Sequence, residues 1–132
     1  MKPASSCPCG SGHPLEACCG PIIAGQTPAG DARTLMRSRY TAFVLQRGDY
    51  LLATWHPDTR PANLELDEEP RPKWIGLEVR RTATIAGREP PAAEVEFVAR
   101  YRVGGRAHRL HETSRFLRQD GRWYYVDGII HD

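Results

Sequence analysis

No cysteine follows residue 19 in this chain of 132 residues, no stretch of about eighteen apolar residues occurs, and lysine appears only as Lys2 and Lys73. Each absence excludes something. Without an apolar run of spanning length no transmembrane helix is expected. Met1-Lys2-Pro3-Ala4-Ser5-Ser6 supplies a positive charge but no apolar h-region, so no secretory signal is read and the expected compartment is the cytoplasm. Also missing are a Ser/His/Asp order and a second metal-ligand set. Gly104-Gly105 reads as a hairpin turn, with no helix after it to cradle a phosphate.

All four cysteines crowd the start as Cys7-Pro8-Cys9-Gly10-Ser11-Gly12 and Cys18-Cys19-Gly20, a Cys-x-Cys-x8-Cys-Cys pattern. A segment this short and this rich in Gly and Pro buries no core of its own, so a bound metal is the natural source of its order. Thiolates favour soft or borderline metals, and four of them close a tetrahedral zinc shell with no position left for water or substrate. The site is therefore read as structural, with Cys7, Cys9, Cys18 and Cys19 as ligands of one Zn2+. Glycines beside the ligands let backbone turn tightly near the sulfurs. Two alternatives stay open. Disulfides need an oxidising compartment and would strain a bond between neighbours Cys18 and Cys19. Iron–sulfur clusters usually use Cys-x2-Cys or Cys-x4-Cys runs. His13 and Glu16 lie between the ligand pairs, and His13 is read as a loop residue.

The formal charge of +2 comes from eighteen basic and sixteen acidic residues and counts the cysteines as neutral thiols. Four zinc-bound thiolates cancel that surplus. A basic balance that vanishes on metallation disfavours nucleic acid, which needs clustered Lys and Arg.

The run Cys-Pro-Cys-Gly-Ser-Gly-His-Pro-Leu-Glu-Ala-Cys-Cys-Gly resembles the SEC-C motif, the small zinc module at the C-terminus of the bacterial preprotein translocase ATPase. There the fourth ligand is His, whereas Cys19 stands here and adds a negative charge. In the translocase the module contacts a chaperone and the membrane surface, so the resemblance implies a recognition surface at the knuckle.

The organisation expected from this is a knuckle over 1–22, a linker over 23–30 and a main domain over 31–132. Pro21 to Gly30 carries two prolines and two glycines around Ile22-Ile23. Asp31 is a good N-cap for a helix running to about Arg47, where Gly48 stops it. Met36, Tyr40, Phe43 and Val44 recur at helical spacing as a buried stripe. The opposite side, Ser38, Thr41, Ala42 and Leu45, bears no charge: either it is a small-residue surface, or the knuckle and linker cover it. A shorter helix is read over Asp49 to Trp55. Pro57 to Lys73, with four prolines and the run Leu66-Asp67-Glu68-Glu69, reads as an irregular crossing with room for one helical turn.

After it the period changes to two. Ile75, Leu77, Val79, Ala83 and Ile85 form one alternating set, Val95 to Val103 a second, Leu110 to Phe116 a third and Trp123 to Ile129 a fourth. The connections are Ala86 to Pro91, Gly104-Gly105 and Gln119-Asp120-Gly121. Two helices followed by a four-stranded antiparallel meander make an α+β fold with helices on one face of a curved sheet. The order resembles the cone-shaped nuclear-transport-factor-2-like (cystatin-like) fold. The knuckle, Met36-Arg37-Ser38-Arg39-Tyr40-Thr41-Ala42-Phe43, Ala53-Thr54-Trp55-His56-Pro57, His111-Glu112-x-Ser114-x-Phe116 and Asp120 to Gly128 together resemble the YchJ family, whose members have no assigned biochemical activity.

If Leu110 and Phe116 point into the cone, His108, Glu112 and Ser114 do too, and His111 and Arg115 face outward. Asp127 shares the phase of Trp123 and Tyr125. Glu112 and Asp127 are therefore the candidate acid/base pair, and Tyr40, Trp55, His108, Ser114, Tyr101 and Trp123 the candidate pocket residues. The bland readings are that Glu112 pairs with Arg37, Arg39 or Arg100, that Asp127 caps a turn, and that His56 bonds a carbonyl at a helix end. Two function classes follow: a zinc-binding adaptor or ligand-binding protein using the knuckle and cone, or a small-molecule isomerase or hydrolase. The resemblance also implies dimerisation through the outer sheet face, for which Val98, Tyr124 and Val126 are candidates.

Overall fold

The computed structural model describes residues 6–64, 66, 71–85, 87 and 89–131. A 3-10 turn at Leu15–Ala17 precedes α1 (Cys19–Ile23), α2 (Ala32–Val44) and α3 (Gly48–Ala53), and four strands follow: β1 (Lys73–Ile85), β2 (Ala92–Val103), β3 (Arg106–Gln119) and β4 (Arg122–His131). The sheet is antiparallel in the order β1-β2-β3-β4, and α2 packs against its concave face. The acidic run after Leu66 lies outside the described residues, as do Ala86 and Arg88 in the β1–β2 connection.

Asp31 caps α2 as expected, its side chain accepting from the Thr34 amide at 2.7 Å. The helix ends at Val44, short of Arg47. Gln46 takes φ 57°, and the amides of Gln46 and Arg47 return to the carbonyls of Phe43 and Ala42 at 3.3 and 2.8 Å. That is a Schellman stop built on Gln46, so Gly48 is free to open α3.

Both sides of α2 are buried. Leu35, Met36 and Tyr40 join Val95, Phe97, Ala99 and Phe116 in the core. Ser38, Thr41 and Ala42 on another face have no solvent exposure, with Cys7 of the cysteine segment against Thr41 and Tyr50 of α3 against Ser38. The Ser38 hydroxyl meets the Leu35 carbonyl and the Tyr50 hydroxyl at 2.8 and 2.6 Å, while Thr41 Oγ1 lies 3.5 Å from Cys7 Sγ. Leu45, beyond this cover, remains exposed. The uncharged face is thus covered at Ser38, Thr41 and Ala42, by the knuckle at Thr41 and by α3 at Ser38, and open at Leu45.

Bulges correct the strand phases. Irregularities between Trp74 and Gly76 and between Val79 and Arg81 leave Ile75 exposed and turn Ala83 and Ile85 to the convex side, opposite Glu94 and Ala92. In β4 the register steps between Tyr125 and Asp127, with Phe116 opposite Tyr125 and Arg115 opposite Asp127. The chain after α3 catches this bulge. The His56 amide donates to the Tyr125 carbonyl at 2.7 Å, the Tyr125 amide to the Thr54 carbonyl at 2.8 Å, and the Thr59 hydroxyl to the Val126 carbonyl at 2.7 Å.

The convex face is lined with ion pairs, among them Arg81 with Glu94 and Glu96, Arg100 with Glu78, and Arg115 with Asp127, and His111 Nε2 meets the Glu96 carboxylate at 2.7 Å. Val98 is buried within the chain, between Glu78 and His111. Tyr124 packs edge-on against His56.

Candidate functional site

The segment from Ser6 to Pro14 doubles back on itself, with the Cys7 amide donating to the His13 carbonyl at 2.8 Å. This return brings Cys7 and Cys9 beside Cys18, which joins the 3-10 turn to α1, and Cys19, the first residue of α1. Gly20 is required there: a Cβ would stand 2.8 Å from the Leu15 carbonyl oxygen. The four Sγ atoms all lie within 4.8 Å of one another, and all four thiols are free of disulfides. The set can hold a metal ion. Cys7, Cys9 and Cys19 are almost wholly buried and belong to the same core as Leu35 and Phe116. His13 and Glu16 are exposed and stand outside the cluster.

The surroundings of the sulfurs suit negative charge. Ser11 Oγ lies 3.1 Å from Cys18 Sγ, and Arg37 Nη1 donates to the Cys9 carbonyl at 3.0 Å and approaches Cys9 Sγ at 3.8 Å. Hydrogen bonding from Cys19, with help from Ser11, holds the Cys9 thiol down at about 4. Cys19 moves up, chiefly because its proton is engaged by Cys9, and burial pushes Cys18 up. One thiolate is thus welcome among protonated neighbours, while four crowded thiolates repel one another unless a cation sits among them.

Across α2 from the cluster, Met36, Arg39, Tyr40 and Phe43 face the sheet at spacings of three and four residues. With Trp55, Trp74, Phe97, Leu110, Glu112, Ser114 and Tyr125 they line a cavity of about 150 Å³. Arg39 is 4% exposed. Its Nη1 donates to the Leu51 carbonyl at 2.8 Å and to Thr54 Oγ1 at 2.6 Å, and its guanidinium lies 4.6 Å from the Tyr125 ring and 5.2 Å from the Trp55 ring. Burial lowers the Arg39 pKa to about 10, and burial together with the Glu112 charge raises Tyr125 to about 12.

Glu112 enters the cavity from β3, and the Ser114 hydroxyl donates to its Oε2 at 2.6 Å. The β4 bulge makes room for it. Gly128, not Asp127, faces Ser114's side of the sheet, and a Cβ at 128 would collide with the Glu112 carboxylate. Glu112 forms no ion pair among the described residues. Arg37 is committed to Cys9, Arg100 to Glu78, and Arg39 shares the cavity without closing on the carboxylate. Trp55 Nε1 is buried with no hydrogen-bond partner among the described residues.

Of the residues singled out in the sequence, Tyr40, Trp55, Glu112 and Ser114 line this one cavity. The other assignments are corrected. Asp127 is turned to the convex face by the bulge, where Arg115 grips both its oxygens and holds its carboxyl below the ordinary range. It shares no cavity with Glu112. His108 keeps the inward phase but lies beyond the core, exposed, stacked on Tyr101 at 5.3 Å, and neither lines the cavity. Trp123 lines a separate open cleft of about 430 Å³ beside α1 and α3. His56 is structural. It meets Gln119 at 2.9 Å through Nε2 and accepts from the Asp58 amide at 3.1 Å through Nδ1. Arg39 is the site residue that sequence reasoning missed, although its place on the Met36-Tyr40-Phe43 stripe was the available signal.

No helix among the described residues is long and apolar enough to cross a membrane. A family model described as "YchJ, middle NTF2-like domain" matches residues 31–128. A UPF0225 protein of Chromobacterium violaceum is 57% identical over 96% of this chain and 93% of its own. Two solved structures are similar over 96% of this chain. One is a SEC-C motif containing protein from Rhodopseudomonas palustris, 34% identical with a TM-score of 0.81 over 98% of that chain. The other is a SEC-C motif containing protein from Psychrobacter arcticus, 27% identical with a TM-score of 0.75 over 82% of that chain. The cysteine cluster, the cone fold on a four-stranded meander and these matches converge: the chain belongs to the YchJ (UPF0225) family of SEC-C motif proteins with a nuclear-transport-factor-2-like domain.

Proposed function

We propose that this is a zinc-containing small-ligand-binding protein, with the cone cavity as its binding site and the cysteine knuckle as a closed structural clamp. One observation carries the reading: a buried arginine and a carboxylate line one largely apolar cavity without neutralising each other. Buried charges that serve the fold alone are normally paired. Polar groups left available among apolar and aromatic walls are what a ligand site needs.

Zinc fits the donor set. Zn–S bonds of about 2.3 Å imply tetrahedral S–S edges of about 3.8 Å, and Cys9–Cys18 and Cys18–Cys19 stand at 3.6 and 3.9 Å. Cys7, Cys9, Cys18 and Cys19 would hold the ion, which would supply charge neutralisation and cross-linking and no catalysis. Elemental analysis of protein purified without chelator should find one zinc per chain; a stoichiometry well below one removes the clamp. For the cavity, an NMR screen with small aromatic compounds should move the resonances of Trp55, Tyr40 and Leu110. A library that leaves those signals in place while the protein is folded overturns the ligand-binding reading.

The knuckle as a docking surface is a second reading, favoured by the exposure of Gly12, His13, Glu16 and Ala17 on its outer edge while the sulfurs stay buried. A partner captured equally well by the native chain and by a Glu16→Lys, His13→Glu variant counts against it.

A further inference from the structure

We propose that the cone cavity takes an uncharged, planar cyclic amide, a single ring whose carbonyl acceptor and adjacent N–H donor lie on one edge. The inference rests on the cavity being a binding site and deepens that reading by naming the ligand class.

Size comes first. A cavity of about 150 Å³ matches the engineered apolar cavity known to hold benzene, so one six-membered ring fits. The walls ask for a flat apolar body, since Tyr40, Phe43, Trp74 and Phe97 surround the space and Trp74 lies edge-on to Tyr40 at 5.8 Å.

Hydrogen-bonding capacity then selects the polar edge. On the donor side, Trp55 lines the cavity, and its Nε1 is buried with no hydrogen-bond partner among the described residues. Beside it, Arg39 spends Nη1 on the Leu51 carbonyl and Thr54, the rings of Tyr125 and Trp55 lie close to its guanidinium, and no partner engages Nε or Nη2 among the described residues. A carbonyl oxygen with two lone pairs satisfies such donors. On the acceptor side, Ser114 occupies Oε2 of Glu112 and leaves Oε1 for a ligand N–H. Charge decides between candidates that share this shape. Arg39 and Glu112 present opposite charges to the same cavity, so a carboxylate ligand would gain the arginine and meet Glu112, and an ammonium would gain Glu112 and meet Arg39. A neutral donor–acceptor edge meets neither repulsion.

The test titrates the full-length metal-loaded protein, isotopically labelled, with 2-pyridone, benzoate, benzylamine and toluene, following the indole N–H of Trp55. The expected result is that 2-pyridone saturates, shifts that resonance and binds about tenfold or more tightly than the other three. In Glu112→Gln its affinity falls by about tenfold or more while toluene binding is unchanged. Gly128→Ala, which keeps the carboxylate but displaces it, should weaken 2-pyridone in the same direction and serves if Glu112→Gln does not fold. Equal or tighter binding of benzoate or benzylamine overturns the amide assignment, as does toluene binding alone, and either leaves the cavity as a ligand site. No shift at any cavity residue with any of the four overturns both readings.

Discussion

The sulfur cluster and the cone cavity lie on different faces of α2, and both are polar sites inside the protein. Around the sulfurs the polar groups are spent on one another: Thr41 on Cys7, Ser11 on Cys18, Arg37 on Cys9. In the cavity they are not. Trp55 Nε1 has no partner among the described residues, Arg39 engages protein through one nitrogen, and Glu112 has one oxygen held by Ser114. A polar group withdrawn from water costs free energy unless it is bonded. Full pairing therefore marks a structural site, and spare capacity marks one that a ligand completes.

The comparison breaks most visibly at Cys9. Its sulfur has no solvent exposure and belongs to the core shared with the main domain. Cys9→Ser, or chelation of the zinc proposed for the cluster, should therefore lower the stability of the whole chain by several kcal/mol, as removal of a structural zinc site would. Thermal unfolding followed by circular dichroism checks this, and an unchanged transition would show that the knuckle is a separate appendage.

Next in size is Arg39→Met, which leaves the Leu51 carbonyl and Thr54 Oγ1 without their donor. A loss of about 2–3 kcal/mol is expected from two charge-assisted bonds, together with loss of ligand binding. Denaturant unfolding measures the first and the NMR titration the second; full stability with full binding would remove Arg39 from both roles. Gly128→Ala should cost about 1–3 kcal/mol through overpacking against Glu112. A second structure in which the carboxylate has not moved would contradict that account. The smallest effect belongs to Asp127→Asn. The pair with Arg115 is roughly half exposed on both sides, so a change within about 1 kcal/mol and unaltered ligand affinity are expected. A large loss of binding there would restore Asp127 to the site.

Much of this was legible from residue order. The cysteine pattern needs only short-range chain geometry to bring its sulfurs together, and Asp31, the Met36-Tyr40-Phe43 stripe and the Leu110-Glu112-Ser114-Phe116 alternation each follow from one local period. The misses share a cause. A bulge adds one residue without changing the hydrophobic pattern much, so Ile75, Ala83, Ile85 and Asp127 were assigned to the wrong face. Arg39 looked like one arginine among many, because its burial depends on Leu51, Thr54 and two aromatic rings supplied by other elements.

By itself the sequence determined the clustering of the four cysteines, the helix-then-meander order and the inward phase of Glu112, since each is set by spacings of a few residues. Only the tertiary structure decided that the knuckle covers α2, that the β4 bulge turns Asp127 out and Gly128 in, and that Arg39 and Glu112 meet across a cavity. Those outcomes depend on contacts between segments far apart in the chain, where backbone carbonyls find donors and side chains find volume, and no local period encodes either.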